Sequence, residues 1–304
     1  MATASDRLRR ARPLLGTFVE IAAAHAAPDL MEAAVEDAFD AIARVHRCMS
    51  FHDPASDVSH LNQHAAAGAV TVDPWTFEVL ETAVELHRRS AGVFDIGVAP
   101  ALQEAGLLPG PTCLRPPGSL ATSADEPIEL LPGKRVRFRD QRVAIDLGGI
   151  AKGFAVDRAL DVLREHGLPQ GLVNAGGDLA VFGAEPESVS VRHPLDPHQY
   201  VCHLQLAHEA LASSGYCLDL CEPSGVARRA IIDPRTQKPP DAIAGVSVRA
   251  SSCLMADALT KVVMIQGEDS AALLDHYHAS ALVVSMTGEI RVTPGWLGGQ
   301  NLAA

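Results

Sequence analysis

The sequence predicts a globular protein that combines α-helices with β-strands. Hydrophobic residues make up 47% of its 304 residues and charged residues 20%, a balance typical of chains that fold around a core. Some segments repeat apolar residues at helical spacing, whereas others alternate apolar and polar residues as half-buried strands do. A chain of this length forms one large domain or two, and either can bury a substantial core.

The charge balance argues against two classes of partner. With 25 Lys and Arg residues against 37 Asp and Glu residues, the net charge is −12. Binding to nucleic acid or to an anionic membrane needs a basic face, so we expect neither. Any phosphate-bearing ligand must therefore be held by a local group of positive charges.

The N-terminal residues bear on the cellular location of the protein. The first twelve residues are basic, but no apolar stretch follows, because residues 14–24 are interrupted by Gly16, Thr17 and Glu20. We therefore expect no signal peptide, no membrane span and a cytoplasmic location. The 13 histidines form no zinc-binding pattern, and we expect reduced thiols, although Cys217 and Cys221 are near enough in sequence to approach each other. The six cysteines are Cys48, Cys113, Cys202, Cys217, Cys221 and Cys253.

The first half of the chain predicts mainly helices. A first strand over residues 14–21, entered through a glycine turn, is followed by an amphipathic helix over residues 29–48. Residues 49–62 are interpreted as a loop that ends in a helical turn, with Ser56 as its N-cap. Another helix starts at Asp73 and Pro74 and ends near Gly92.

The next segments predict extended structure that leads to the middle of the chain. Residues 93–100 form a short extended piece, and residues 105–127 form a surface excursion because they are rich in Gly and Pro. Residues 135–139 and 142–147 are interpreted as a hairpin.

The second half predicts two helices and a series of strands. The helices run from about residue 150 to Gly167 and over residues 253–265, and a turn is expected at residues 213–216. The predicted strands cover residues 171–183 with an interruption at 174–178, and then 188–192, 201–206, 210–213, 230–236, 244–250 and 281–285, the last followed by a hairpin to 292.

The stretch I-D-L-G-G-I-A-K-G-F-A-V-D-R-A-L at residues 145–160 organises the chain. Its pattern is a short strand that turns through Gly148 and Gly149 directly into a helix. Such a turn presents free backbone N–H groups and the positive end of a helix, which favour an anion such as a phosphate. Lys152 would add a full positive charge. Because the stretch matches neither common phosphate-binding motif, an ordinary strand–turn–helix with a solvated lysine is the alternative.

Five acids lie in apolar or glycine-rich surroundings: Asp95, Asp146, Asp178, Asp233 and Asp257. Together they suggest either oxygen ligands for a hard cation or acceptors for hydroxyl and ring N–H groups. Asp233 also suits a turn before Pro234, and Asp257 has the spacing for an ion pair with Lys261 on one helix face.

Eight motifs in this order resemble the ApbE family of FAD:protein FMN transferases over nearly the whole chain. They are L-G-T (15–17), M-S-F-H-D-P-A-S-D-V-S-H-L-N (49–62), F-D-I-G-V-A-P (94–100), I-D-L-G-G-I-A-K-G-F-A-V-D (145–157), N-A-G-G-D (174–178), S-S-G (213–215), I-I-D-P-R-T (231–236) and A-D-A-L (256–259).

The resemblance implies a fold and a reaction. The fold is α+β and T-fold-like, with mixed sheets, packed helices and a flavin cleft between two halves of one domain over residues 1–304. FAD is the substrate, and Mg²⁺ bridges its pyrophosphate. The family moves FMN from FAD to a Ser or Thr of an acceptor flavoprotein and releases AMP, a reaction in which positioning and charge neutralisation dominate catalysis.

The resemblance also assigns roles to individual residues. Lys152 and Asp257 become the catalytic candidates, and the carbonyl of Gly149 and the carboxylate of Asp257 become the metal ligands, with Lys261 at the position of a ligand Thr. The implied flavin-nucleotide contacts are Leu15, His52, Phe94, Asp95, Asp146, Lys152, Gly176, Gly177, Asp178 and Ile231.

Five positions depart from the family pattern. Leu15 replaces Met, His52 replaces Tyr, Ala230 replaces a His that precedes I-I-D-P, Gln237 replaces Gly, and Lys261 replaces Thr. A lysine ammonium at position 261 would pair with Asp257 and could occupy the place of the cation.

These departures leave three functions open. The first is a working transferase that uses substitutes such as His52, His193 or Lys261. The second is an FAD-binding protein with little or no transferase activity. The third is a hydrolase that splits FAD into FMN and AMP.

Overall fold

The computed structural model describes residues 6–25, 27–110, 127–216 and 230–296. The chain divides into two compact units. The first unit comprises Met1–His46, Lys152–Ala227 and Ala242–Ala304, and the second unit comprises Arg47–Ala151 and Arg228–Asp241. Most of the expected surface excursion and three of the cysteines (Cys113, Cys217 and Cys221) lie outside the described residues. Cys202 and Cys253 are free thiols, as expected.

The α-helices of the described residues are named in chain order. They are α1 (Pro28–Met49), α2 (Asp57–His64), α3 (Pro74–Arg89), α4 (Ala99–Glu104), α5 (Ala151–Glu165), α6 (Cys253–Gln266) and α7 (Ala271–His276). None of these helices is both long and apolar enough to span a lipid bilayer.

The β-strands of the described residues are also named in chain order. They are β1 (Asp6–Leu14), β2 (Thr17–His25), β3 (Val70–Thr71), β4 (Ile128–Leu131), β5 (Arg135–Phe138), β6 (Gln170–Ala175), β7 (Asp178–Phe182), β8 (Glu187–His193), β9 (Asp196–Leu206), β10 (Ala210–Gly215), β11 (Ile243–Ala250), β12 (Ser280–Ser285) and β13 (Ile290–Val292).

The first unit is built on an antiparallel sheet of eight described strands. Their order is β1-β2-β6-β7-β10-β11-β12-β13, and each neighbouring pair is antiparallel. Strands β8 and β9 form a separate hairpin. Helices and antiparallel sheets together make the fold α+β, so the predicted class is confirmed.

Both faces of the large sheet are buried along β2. Along β2, Ala22 joins an apolar cluster that includes Leu204 of β9, so this side chain faces the β8–β9 hairpin. Its neighbours Ile21 and Ala23 are also buried, and they point to the opposite face because side chains alternate along a strand. On the sheet, α6 packs against β10 and β11. The sheet is therefore a middle layer of the first unit.

Helices α5 and α6 approach each other closely at Gly153. A Cβ atom on Gly153 would lie 2.2 Å from the carbonyl oxygen of Cys253 and 2.8 Å from Cβ of Asp257. The carboxylate of Asp157 on α5 accepts the backbone N–H groups of Cys253 and Leu254, both at 2.8 Å, and so caps the start of α6. Burial raises the pKa of Asp157 to about 6, against the lowering effect of these two hydrogen bonds.

The second unit contains the small sheet β3-β5-β4 and the helices α2, α3 and α4. Ser56 accepts the N–H of Ser59 at 3.1 Å, which confirms the predicted cap of α2. Asp73 accepts the N–H of Trp75 at 2.8 Å and caps α3, as the position before Pro74 predicted. The helix predicted over residues 29–48 is confirmed as α1.

The strand predicted over residues 142–147 is wrong. A side chain takes the place of a neighbouring strand beside this segment. Asn62 accepts the N–H of Ile145 at 2.7 Å and donates to the carbonyl oxygen of Ile145 at 2.9 Å. The N–H of Asp146 donates to the carbonyl oxygen of Ile96 at 2.8 Å. The segment thus satisfies its backbone groups without joining a sheet.

Two further extended predictions are wrong because an aspartate forms a local turn. In residues 93–100, Asp95 accepts the N–H of Gly97 at 2.7 Å and starts a short 3₁₀ helix, Ile96–Val98. In residues 230–236, Asp233 accepts bonds from the backbone and the guanidinium of Arg235. Short polar side chains compete with strand pairing in this way.

The glycine turn predicted at the entry to the first strand is confirmed, because Leu15 and Gly16 form the turn of the β1–β2 hairpin and lead into β2. Another boundary in the first unit differs from prediction. Residues 213–216 do not form the predicted turn, since β10 continues to Gly215 and pairs there with Gly245.

Replacing Gly153 with alanine should lower the free energy of unfolding by about 1–3 kcal/mol, the usual cost of overpacking. The new methyl group would meet backbone atoms of Cys253, which cannot rotate away, so α5 and α6 would have to separate. Urea denaturation measures the effect. The matched control is Gly68→Ala, because no atom lies within 4 Å of a Cβ at Gly68. Equal stabilities of the two variants would contradict the close approach.

Candidate functional site

Lys152 and Asp178 form the first half of a buried ionic cluster. Lys152 is the second residue of α5, and Asp178 is the first residue of β7. The Lys152 ammonium donates a hydrogen bond to the Asp178 carboxylate. The Asp178 side chain is 2% exposed, whereas that of Lys152 is 34% exposed. The lysine is therefore the member of the pair that a ligand can reach.

Asp257 and Lys261 of α6 form the second half of the cluster. Asp257 is fully buried, and its Oδ2 accepts the N–H of Gly153 at 3.0 Å and lies 3.8 Å from Nζ of Lys152. Its Oδ1 accepts a hydrogen bond from Nζ of Lys261. The same Nζ donates to the backbone carbonyl oxygen of Asp257 at 3.0 Å. One buried carboxylate thus lies between two ammonium groups.

The four charges of this ionic cluster (Lys152, Asp178, Asp257 and Lys261) shift one another's proton affinity. Burial opposes the charged form of Lys152, but the carboxylates of Asp257 and Asp178 outweigh it and raise the pKa of the ammonium. Burial likewise opposes ionisation of Asp257, yet the two lysines and the Gly153 N–H hold its pKa below the ordinary value. Burial and the neighbouring Asp257 carboxylate raise the pKa of Asp178. Lys152 is therefore kept as a cation.

Strand β10 is joined to the ionic cluster by hydrogen bonds. The N–H of Ser213 donates to Oδ1 of Asp178 at 3.4 Å. The hydroxyl groups of Ser214 and Thr260 lie 2.7 Å apart, and Thr260 donates to the carbonyl oxygen of Asp257 at 2.7 Å. The sequence interpretation did not assign these residues to the site, although the S-S-G motif marked two of them.

Two hairpin turns meet beside the ionic cluster. Leu15 has a positive φ of 55°, and Gly176 and Gly177 have φ values of 67° and 103°, which suit glycine in a two-residue turn. A Cβ on Gly176 would lie 2.5 Å from Oγ1 of Thr17. The turn of N-A-G-G-D therefore packs against L-G-T and leads directly into Asp178. The first unit thus brings together Lys152, Leu15, Gly176, Gly177, Asp178, Asp257 and Lys261.

A cavity of about 430 Å³ opens in the first unit next to Ser213. Ser213 and Ser247 face it, with their hydroxyl oxygens 2.7 Å apart, and His193 lines it from the tip of the β8–β9 hairpin. Pro194 lies at the same tip, where a Cβ on Gly245 would come within 2.6 Å of it. Since Ser213 also donates to Asp178, the cavity and the ionic cluster share a wall.

The second unit brings together another set of predicted residues. Burial raises the pKa of Asp146, while the Gly148 N–H and the His52 ring oppose that shift. The bond from Asp146 to Ile96 places it beside the segment that holds Phe94 and Asp95. Gly149 lies in the turn before α5, and Ile231 is half-buried ahead of the Asp233 turn.

Comparison with known proteins identifies the family of this chain. The sequence model described as the ApbE family matches residues 15–286. This chain belongs to the ApbE family. A curated FAD:protein FMN transferase of Rhodobacter capsulatus is 29% identical over 297 residues, with 92% of this chain and 56% of that protein covered. The FAD:protein FMN transferase of Vibrio cholerae is 29% identical over 232 residues, with 73% and 70% covered.

Solved structures agree with this membership. The crystal structure of the ApbE protein of Thermotoga maritima has a TM-score of 0.82 and 26% identity to this chain. The match covers 95% of this chain and 97% of the Thermotoga maritima chain. The α+β architecture described above is therefore that of ApbE proteins.

The surroundings of Asp257 do not fit the divalent cation that the ApbE resemblance implies. Both carboxylate oxygens already face positive or N–H groups of this chain, with Lys261 on one side and Gly153 and Lys152 on the other. Among the described residues, no three His, Cys, Asp or Glu side chains are grouped so that they could hold a metal ion. Ala230 brings no ionisable side chain to the position where a His is usual.

Asp257→Asn should lower the free energy of unfolding by about 3 kcal/mol at pH 7, because it leaves the largely buried Lys261 ammonium without a counter-charge and Lys152 with Asp178 alone. The lowered pKa means that the contribution of the carboxylate is present above its ordinary value of 3.8 and is lost as the pH falls through the lowered pKa. Urea denaturation at pH 7, 4 and 3 should therefore show the difference from the native protein shrinking in acid.

The matched control for this variant is Asp275→Asn, an exposed position at which little change is expected at any pH. A loss of stability in Asp257→Asn that stays constant from pH 7 to pH 3 would contradict the charge argument.

Proposed function

We propose that this ApbE-family chain is an FAD:protein FMN transferase. It would move FMN from FAD to a Ser or Thr hydroxyl of an acceptor flavoprotein and release AMP. The observation that carries the proposal is the Lys152 ammonium, which is one-third exposed, lies in the first turn of α5 and is kept charged by two buried carboxylates. A fixed cation at a helix start suits a phosphate oxygen.

The reaction needs charge neutralisation more than covalent help from the protein. The acceptor hydroxyl oxygen forms a bond to the phosphorus of the FMN phosphate while the bond to the AMP phosphate breaks and its electron pair leaves with AMP. The hydroxyl proton passes to solvent or to a base. Lys152 would bind a phosphate oxygen and stabilise the charge that shifts between the two phosphates. Asp178 and Asp257 would act by holding Lys152 in place.

Further FAD contacts are proposed on the motif match. In the first unit these are Leu15, Gly176, Gly177 and Asp178, which lie with Lys152. His52, Phe94, Asp95, Asp146 and Ile231 are proposed from the second unit. The sequence predicted Mg²⁺ at Gly149 and Asp257, but the Lys261 ammonium on Asp257 argues against a cation there. The identity of the acceptor and a cytoplasmic location stay predictions of the sequence, and cell fractionation would test the location.

The transferase is preferred to the two alternatives because the relatives that match the chain are named as transferases. An FAD-binding protein without activity and an FAD pyrophosphatase remain outcomes of the test below. Ala230 and Lys261 are the departures on which the binding-only alternative rests.

The proposal is tested by incubating the protein with FAD, Mg²⁺ and a candidate acceptor that carries a Ser or Thr flavinylation site. Intact mass should show the acceptor gaining one FMN, and chromatography should show AMP in equal amount. AMP with free FMN and an unmodified acceptor would indicate the pyrophosphatase. Bound FAD with no AMP would indicate the binding protein. An acceptor variant with Ala at the modified position is the control.

Lys152→Ala should weaken FAD binding at least tenfold, because it removes the accessible cation of the ionic cluster. Quenching of flavin fluorescence measures the affinity, and circular dichroism checks the fold. Lys134→Ala removes an exposed lysine from the β4–β5 turn and serves as the matched control. Lys152→Arg, which retains the positive charge, should recover part of the affinity. Unchanged binding in Lys152→Ala would exclude this residue from the FAD site.

A further inference from the structure

Lys261 is held in one position by two hydrogen bonds within a single helical turn. Its Nζ contacts Oδ1 of Asp257 and lies 3.0 Å from the backbone carbonyl oxygen of the same residue. The side chain is only 17% exposed. A surface lysine would sample many rotamers, but these two acceptors fix the ammonium against the buried carboxylate.

The fixed ammonium uses the oxygen atom that a cation would need. Oδ1 of Asp257 accepts from Lys261, while Oδ2 accepts the Gly153 N–H at 3.0 Å and lies 3.8 Å from Lys152 Nζ. A divalent cation at Asp257 would either displace the Lys261 ammonium or lie next to two like charges. Because Asp257 is fully buried, water would screen that repulsion poorly.

Lysine is rare in this chain, and half of its lysines lie in the ionic cluster. The sequence has four lysines, at positions 134, 152, 238 and 261, and all its other basic residues except histidine are arginines. Two of the four belong to the ionic cluster. An ammonium is a compact, strongly hydrated point charge, whereas guanidinium is planar and wide. Lysine is therefore the side chain that most closely imitates a small cation.

We infer that the Lys261 ammonium replaces a divalent cation at Asp257, so that this chain binds the diphosphate of a dinucleotide without Mg²⁺. The inference rests on the proposed function for the identity of the dinucleotide, FAD. Lys261 is a positioning residue for Asp257 and Lys152, and it supplies the positive charge that a metal would otherwise bring to the buried carboxylate.

The first experiment measures FAD affinity in EDTA and in millimolar Mg²⁺ by flavin fluorescence. We expect the two dissociation constants to agree within about twofold. Affinity at least tenfold weaker in EDTA would overturn the inference while leaving the proposed function intact. Absence of FAD binding in both buffers would instead overturn the proposed function, and the metal inference is then decided by the second experiment.

The second experiment needs no flavin. Electron paramagnetic resonance of Mn²⁺ titrated into the native protein should show no site tighter than millimolar. Lys261→Thr, which removes the ammonium and supplies a hydroxyl oxygen, should bind Mn²⁺ at least tenfold more tightly, and its FAD affinity should become dependent on Mg²⁺. Lys134→Thr is the matched control. Lys261→Ser provides a second variant if Lys261→Thr does not fold.

Each result decides the question. Tight Mn²⁺ binding by the native protein would show that Lys261 does not exclude the cation. A folded Lys261→Thr or Lys261→Ser protein that still binds no Mn²⁺ would show that the cation is absent for another reason. Either result overturns the inference, whereas a metal site that appears only when Lys261 is removed supports it.

Discussion

The fully buried carboxylate of Asp257, which lies between the ammonium groups of Lys152 and Lys261, is the constraint on which the site depends. An isolated charge at this depth would be strongly unfavourable, and only paired and hydrogen-bonded charges persist there. Lys152 comes from α5, whereas Asp257 and Lys261 come from α6. The electrostatic balance of the site therefore requires the two helices to stay in register.

The packing of the first unit supplies that register. Gly153 allows the α5 backbone to reach Cys253, and its N–H points at Asp257. One turn later, Asp157 binds the first N–H groups of α6. The two contacts fix both the spacing and the axial position of the helices. Lys152 then projects toward Asp178 at the start of β7, where the glycine turn ends. The position of the Lys152 ammonium thus depends both on the local glycine turn and on the packing of α5 against α6.

Much of this arrangement could be predicted from the sequence where local chemistry decides the structure. The amphipathic pattern of α1, the cap at Ser56 and the pairing of Asp257 with Lys261 all depend on residues a few positions apart. The segment at residues 142–147 could not be predicted, because Asn62, more than 80 positions earlier, replaces a neighbouring strand. The strand predicted over residues 230–236 was wrong because Asp233 binds the backbone and side chain of Arg235 and so forms a local turn.

The sequence could predict which residues belong to the site, but not how they are arranged in space. The motif order selected Lys152, Asp178 and Asp257, but no spacing in the sequence shows that Lys152 lies near both carboxylates. The roles of Ser214 and Thr260 depend on the packing of α6 against β10. Such contacts form only when distant segments fold together, and a single sequence carries little record of them.

The packing of Pro194 against Gly245 affects the shape of the nearby cavity. A two-stranded ribbon has little stability of its own, so the β8–β9 hairpin depends on the surface that it covers. Gly245 and Gly215 face each other across β10 and β11 and leave a notch that receives the proline ring. The width of the cavity therefore depends on the absence of a Cβ atom at Gly215 and Gly245. A methyl group at position 245 would push the ribbon tip outward, carry His193 with it and enlarge the cavity.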